Sequence, residues 1–387
     1  MKTTPSVKTM GFIGLPALLL MLMGLAFCWA SPMNGHLHGS GGHWFFWRMI
    51  SWNAIGISLG AIAWKVGWKR WLKATPILLI GWVALFVYVA TLPNDGGRFG
   101  WVGVGSIRFN VWELLPVVVA LWAARISEKL HCRSIWAGLL VMVVVCCGIG
   151  LEIAKHPARL RTALVSPTQQ MMAADARLPA MTFLQNQCVG AVKESKWFGR
   201  SEINTRYIPE GTASSMPAVA AALFGRWYLV LLCCALGCWG AGFSYVWKKR
   251  RDEPARSYVM VLGVLIILPS VMNLLATIGL APKFDCSIPF ASFGGSLAAA
   301  TWIGLSIVYA QDGEGDEMTR MSCGEVVLYV TQIVVFALVL ICGMRYVDGR
   351  ADLKYMGDNK YEKKILRIKD IVDEKSACNG SVGEIGK

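Results

Sequence analysis

The chain has 387 residues, 55% of them apolar, 17 tryptophans and a mean hydropathy of +0.49, which argues against an ordinary water-soluble globule. The formal net charge is +14. No soluble stretch interleaves basic residues with aromatics, so the charge points to basic loops beside anionic headgroups and not to nucleic acid.

The apolar runs are continuous rather than alternating. They predict an all-α polytopic transmembrane bundle of about nine spans, because a helix satisfies its own backbone in lipid. The first run, 11–29, follows Lys2 and Lys8 and precedes CWASP. It is long enough to span and is read as an uncleaved first helix. His36, His38 and His43 follow in a Gly-rich setting without a nearby carboxylate or Cys, and no metal site is expected there. Further spans are expected at 44–64, 75–92, 110–126, 135–154, 218–247, 257–280, 290–310 and 325–345.

Basic clusters set the orientation. Lys65, Lys69, Arg70 and Lys73 follow the second span, Arg125, Lys129 and Arg133 the fourth, and Lys248 to Arg251 the sixth. All three fall on one side if the N-terminus is cytoplasmic. The other side then receives the long loop 155–217, expected to hold short helices on the bilayer. The basic tail 346–387 is the one signal that disagrees: nine spans place it on that side too, so either it is translocated despite its charge or one span is re-entrant. In the tail, KYEKKILRIKDIV puts Ile365, Ile368 and Val372 on one helical face, suited to a membrane surface or a partner. The chain thus reads as one integral membrane domain, 1–345, plus the tail. Cysteines within the apolar runs act as small hydrophobes. Cys188, Cys286 and Cys378 lie in polar segments, and a Cys188–Cys286 disulfide is one pairing that sequence allows without establishing.

The most distinctive stretch is GLAPKFDCSIPFASFGGS, 279–296. Pro289 fixes a turn, and Gly294, Gly295 and Ser296 lack bulk, so a backbone or a ligand can approach closely. This predicts the rim of a cavity. The stretch resembles the SEDS family, the FtsW, RodA and SpoVE group, whose pattern is Gly-Leu-x-Pro, a Thr-Gly turn and Leu-Pro-Phe-x-Ser-Tyr-Gly-Gly-Ser. Gly279, Leu280, Pro282, Pro289, Phe290, Ser292, Gly294, Gly295 and Ser296 fall in register, and Asn273 stands six residues before Gly279. RFNVWE resembles the family's Phe-Gln-Pro-Ser-Glu, keeping Phe109 and Glu113. HPARLRTALVSP resembles its Arg-rich loop entry, Gln187 its Gln-Ser, WFGR its Phe-Gly-Lys and IPE its Leu-Pro-Glu.

There are departures. Active members carry an essential Asp four residues after the Pro-Glu; here that position is Ser214. Ala222 and Leu223 replace an acidic pair, and Phe284-Asp285 replaces Thr-Gly. The Gln-Pro-Asp-Leu-Gly segment has no counterpart. One span, 135–154, stands where the family has three, and the hydrophobic segment after 324 is added.

The resemblance implies a multi-pass protein of the bacterial inner membrane acting in peptidoglycan synthesis during division or elongation. It implies lipid II as ligand, a class B penicillin-binding protein as partner, contact with membrane lipids, and glycan-strand polymerisation. A divalent cation accompanying the pyrophosphate is a further expectation. A sugar hydroxyl attacking an anomeric carbon needs a base, cations for the leaving pyrophosphate and a lipid groove. Ser214 cannot serve as a base at its ordinary pKa, so Glu210 and Asp285 are the substitute candidates. Glu113, Arg159, Arg161, Gln187, Arg200, Ser292, Gly294, Gly295 and Ser296 are the candidate substrate-binding residues. Arg159, Arg161 and Arg200 suit pyrophosphate because guanidinium pairs with it bidentately. Glu113 sits in the mouth of a span, where a charge must face a cavity or a partner. Two alternatives stand: a catalytically inactive relative that scaffolds a penicillin-binding protein, and an unrelated small-solute transporter.

Overall fold

The computed structural model describes residues 10–31, 44–91, 101–104, 107–130, 180–202, 208, 213–281, 286–311 and single residues between 327 and 345. Span 135–154, most of loop 155–217, the three histidines and the tail lie outside them. A π-helical turn, Met10–Gly14, leads into α1 (Leu15–Ala30), which begins with Pro16 where the missing N–H costs nothing. α2 (Trp44–Val66) and α3 (Trp68–Thr91) are separated only by Gly67, at φ +85. Lys69, Arg70 and Lys73 therefore lie within α3 rather than in a loop.

An antiparallel hairpin follows. β1 (Trp101–Val104) pairs with β2 (Ile107–Asn110), with Trp101 opposite Asn110. Asn110 then caps a 3₁₀ turn, Val111–Leu114, its Oδ1 accepting from the Trp112 N–H at 3.1 Å. The fourth span therefore begins as α4 (Leu115–Leu130), later than the apolar run suggests. α5 (Ala180–Glu194) is a helix within the long loop.

The expected span 218–247 is two helices, α6 (Met216–Phe224) and α7 (Trp227–Lys249). The break is chemical. Gly225 has φ +99, and a Cβ there would lie 2.5 Å from the Trp197 carbonyl oxygen. Arg226 donates to the Ser195 carbonyl at 2.8 Å and to that of Lys193, and its guanidinium lies 5.6 Å from the Trp197 ring centroid. α8 (Glu253–Thr277) is capped by Asp252 and contains Pro269. A turn over 286–294 leads into α9 (Gly295–Ala310).

Among the described residues, five helical stretches are long and apolar enough to cross a membrane: Gly11–Ala30, which joins the π-helical turn to α1, then α2, Trp68–Val89 of α3, α7 and α8. α4 and α9 have 16 residues each, roughly 24 Å of helix. The architecture is a multi-pass helical bundle, as the composition requires.

α7 and α8 form its centre, burying Trp239, Tyr245 and Tyr258. The Tyr258 hydroxyl donates to the Gly304 carbonyl and the Tyr228 hydroxyl to that of Met23, each at 3.1 Å. Such bonds satisfy polar groups that lipid would leave stranded. α2 meets α9 at Gly56 and Gly60. A Cβ at Gly56 would stand 2.8 Å from Ala299 Cα, and one at Gly60 2.5 Å from Ser306 Oγ. This is close packing through small residues. The Trp302 indole donates to Asn53 Oδ1 at 3.0 Å across the same seam, and Asn53 Nδ2 donates to the Met49 carbonyl.

Candidate active site

A cavity of about 570 Å³ opens where α2, the 3₁₀ turn, α4, α8 and the 286–297 turn converge. Gly294, Gly295 and Ser296 form one wall, as the sequence predicts. Gly295 cannot carry a side chain, because a Cβ there would fall inside the Trp52 indole. Phe290 holds φ +66, a costly conformation for an aromatic residue. Its ring is buried between Trp239 and Trp302, with centroids at 5.8 and 4.8 Å. The turn is also tied by its backbone. The Ser292 hydroxyl accepts from the Ile288 N–H at 3.1 Å, and Asn273 donates to the Cys286 carbonyl. Ser292 is thus buried support for the rim and does not line the cavity.

Glu113 stands on the opposite wall with Asn110, Trp112 and Pro116. The Trp82 indole fixes this wall by donating to the Val111 carbonyl at 3.1 Å, and Trp112 packs edge-on against Phe86. Arg48 of α2 also lines the cavity, its guanidinium 4.7 Å from the Trp44 ring centroid. Leu265 and Pro269 of α8 contribute the apolar side. Pro269 has no N–H, which leaves the Leu265 carbonyl without its helical donor.

The site residues read from sequence divide accordingly. Glu113, Gly294, Gly295 and Ser296 come together. Ser214 is fully buried directly after Ala213, which lines the cavity, but is not itself part of the lining. Gln187 is buried in α5, away from the lining, and its Oε1 accepts no hydrogen bond. Its neighbour Gln185 instead donates to the Ala281 carbonyl at 2.8 Å, tying α5 to the start of the rim segment. Arg200 is exposed and also outside the lining. Cys188 is buried in α5, and Cys286 lines the cavity. Glu210, Asp285, Arg159 and Arg161 lie outside the described residues. Sequence reading missed Arg48, although a lone cation inside an apolar run was a usable signal.

No protein-family model matches the chain. It is 25% identical over 353 residues to a protein of Thioalkalivibrio sp. (strain K90mix) named "Probable peptidoglycan glycosyltransferase FtsW", covering 76% of this chain and 86% of the relative. A protein of the same name from Aromatoleum aromaticum is 23% identical, covering 79% and 88%. Among solved structures, a point mutant of the Thermus thermophilus rod shape-determining protein RodA superposes with a TM-score of 0.55 at 17% identity, covering 79% of this chain and 98% of that one. A chain from a structure described as a peptidoglycan synthase complex coordinating polymerization and crosslinking gives 0.57 at 14% identity, covering 78% and 98%.

The chain is similar over most of its length to FtsW members of the SEDS family, and it shares the RodA fold. The SEDS rim motif and the SEDS Glu113 motif, 166 residues apart at Glu113 and Gly279, thus serve one cavity. The protein is a multi-pass bacterial membrane protein.

Proposed function

We propose that this SEDS protein binds lipid II at the cavity and polymerises glycan strands in cell-wall synthesis. The observation that carries the reading is the meeting of Glu113 and Arg48 with the side-chain-free rim Gly294-Gly295 around about 570 Å³. A sugar can approach the backbone there, and the Leu265 carbonyl offers it an acceptor. Arg48 supplies a bidentate donor for the pyrophosphate. Glu113 accepts hydrogen bonds from the sugar or takes the acceptor's proton.

Two further carboxylates are close to the cavity along the chain. Asp285 immediately precedes Cys286, and Glu210 stands three residues before Ala213; both neighbours line the cavity. Either supplies the base that Ser214 cannot, and Arg159 and Arg161 add cations for the leaving group. Among the described residues no three His, Cys, Asp or Glu side chains gather to hold a metal. A divalent cation accompanying the pyrophosphate remains part of this reading. The N-terminus is cytoplasmic in this reading, and a class B penicillin-binding protein is the partner that cross-links the product.

The test is glycan polymerisation from labelled lipid II by the purified protein, alone and with a class B penicillin-binding protein. The variants are Glu113→Gln, Glu210→Ala and Asp285→Ala. Loss of polymer in one folded variant identifies the base. Absence of polymer throughout, with lipid II still bound, supports the second reading, a silent scaffold, which the burial of Ser214 at the position of the family's Asp favours.

A further inference from the structure

A second cavity, about 460 Å³, lies away from the first, on the outer side of the α7–α8 pair. Gly237, Gly240 and Ser244 of α7 and Gly263, Val264 and Ile267 of α8 form its floor and sides, and Ile333 borders it near Gly237. From Gly237 to Trp247 the groove runs roughly 15 Å along α7. Exposed Val264 and Leu268 mark the face as one turned to lipid.

The groove is not uniformly apolar. Trp247 closes the end where α7 meets α8, and its Nε1 is buried and donates to nothing. The Arg256 guanidinium lies 5.5 Å from the Trp247 ring centroid. Its Nη1 pairs with Glu253 at 2.6 Å, while its Nε is a second buried donor without an acceptor. Along the chain this end is followed by Lys248, Lys249, Arg251 and Arg256 against the two carboxylates Asp252 and Glu253, while Arg250 is buried and donates to the Val308 carbonyl at 3.1 Å. Of these, Asp252 is engaged in capping α8. Hydrocarbon on one side, and cations with two idle N–H donors at one end, is the pattern of a lipid with a phosphate. A protein helix would fill the groove but leave both N–H donors unanswered.

We propose that the α7–α8 groove is a binding site for an anionic diacyl phospholipid. The acyl chains lie on the glycine floor, and the headgroup phosphate sits at the Trp247–Arg256 end. The site is separate from the catalytic reading and does not depend on it.

The test is native mass spectrometry of the full chain in detergent, titrated with phosphatidylglycerol and with phosphatidylethanolamine of matched chains. The wild type is expected to prefer phosphatidylglycerol by about 5-fold, near what one cation contributes at a membrane surface. Arg256→Gln and Trp247→Phe bring the two lipids towards parity. Gly240→Leu reduces the specific adducts of both; its Cβ meets only Ile267, at 3.7 Å, so the helix pair itself accommodates the change. Equal binding of the two lipids by the wild type overturns the proposal, and so does a preference that survives Arg256→Gln and Trp247→Phe together. Gly240→Leu releasing a co-purified protein helix while leaving the lipid adducts unchanged overturns it as well, in favour of a protein occupant.

Discussion

Gly295 shows how one missing atom shapes the cavity. Any Cβ there overlaps the Trp52 indole, and both residues line the wall. Gly295→Ala is therefore expected to cost about 1–3 kcal/mol through overpacking, read as a lower midpoint in thermal unfolding in detergent. Arg48→Lys keeps the charge but loses the planar fork. It should raise the KM for lipid II about 10-fold with little change in kcat, since a bidentate pair is lost from ground state and transition state alike. Steady-state polymerisation kinetics at varied lipid II separates that from a loss of kcat. At this scale the sequence was partly legible. The absence of bulk at Gly294 and Gly295 announced a rim, and the position of Glu113 announced a cavity mouth. Arg48 was hidden because it sits one turn into an apolar run, where a snorkelling cation looks the same. Gln187 was the opposite case. Motif position drew attention to it, yet helical phase in α5 buries it away from the lining.

The α6–α7 break is an event of the element scale. Hydropathy runs unbroken across 218–247, so pattern alone joins the two helices. Gly225 and Arg226 carried the local signal: a residue free to take positive φ, then a cation that lipid would not accept without partners. Those partners are carbonyls of the α5 C-terminus and its loop, which are far away in sequence and so were not readable from it. Gly225→Ala meets both the left-handed φ and the Trp197 carbonyl. It is expected to destabilise by about 1–3 kcal/mol, and to loosen α5 from α7. Hydrogen exchange at the Arg226 and Trp227 amides should rise together, because these N–H groups donate to the Lys196 and Trp197 carbonyls. The hairpin 101–110 was likewise folded into a connector in the sequence reading. Its strands are four residues each, too short for alternation to stand out.

At the scale of the whole molecule, hydropathy made the bundle legible, because the demand for backbone satisfaction in lipid is so severe. Exact span ends were not, since turns, caps and 3₁₀ segments are built from residues as apolar as the helices. The orientation expected from the basic clusters is open to a direct test. Cysteine placed at Asp252 should react with a membrane-impermeant maleimide only after the cells are permeabilised, and cysteine placed at Arg200 should react in intact cells. The reverse pattern would invert the topology. Near the end of the chain, Leu340 and Met344 are buried, and Arg345 lies 5.6 Å from the Trp197 ring centroid. The added segment therefore reaches the same loop that holds Arg226, on the side assigned to Arg200.

The seam between α2 and α9 has a mechanical consequence. Backbone rests almost on backbone at Gly56, the short Ser306 side chain abuts Gly60, and the Asn53–Trp302 bond pins the same pair. Without flexible side chains between them, neither helix can slide without the other, and together they act as an anvil. A ligand entering the cavity must then push on the facing side, where the 3₁₀ turn is held to α3 by the Trp82 indole and an edge-on ring contact, ahead of α4, which packs against both α3 and α8. The give in this machine is on the Glu113 side, so ligand entry would carry the carboxylate with the moving wall while the glycine rim stays still.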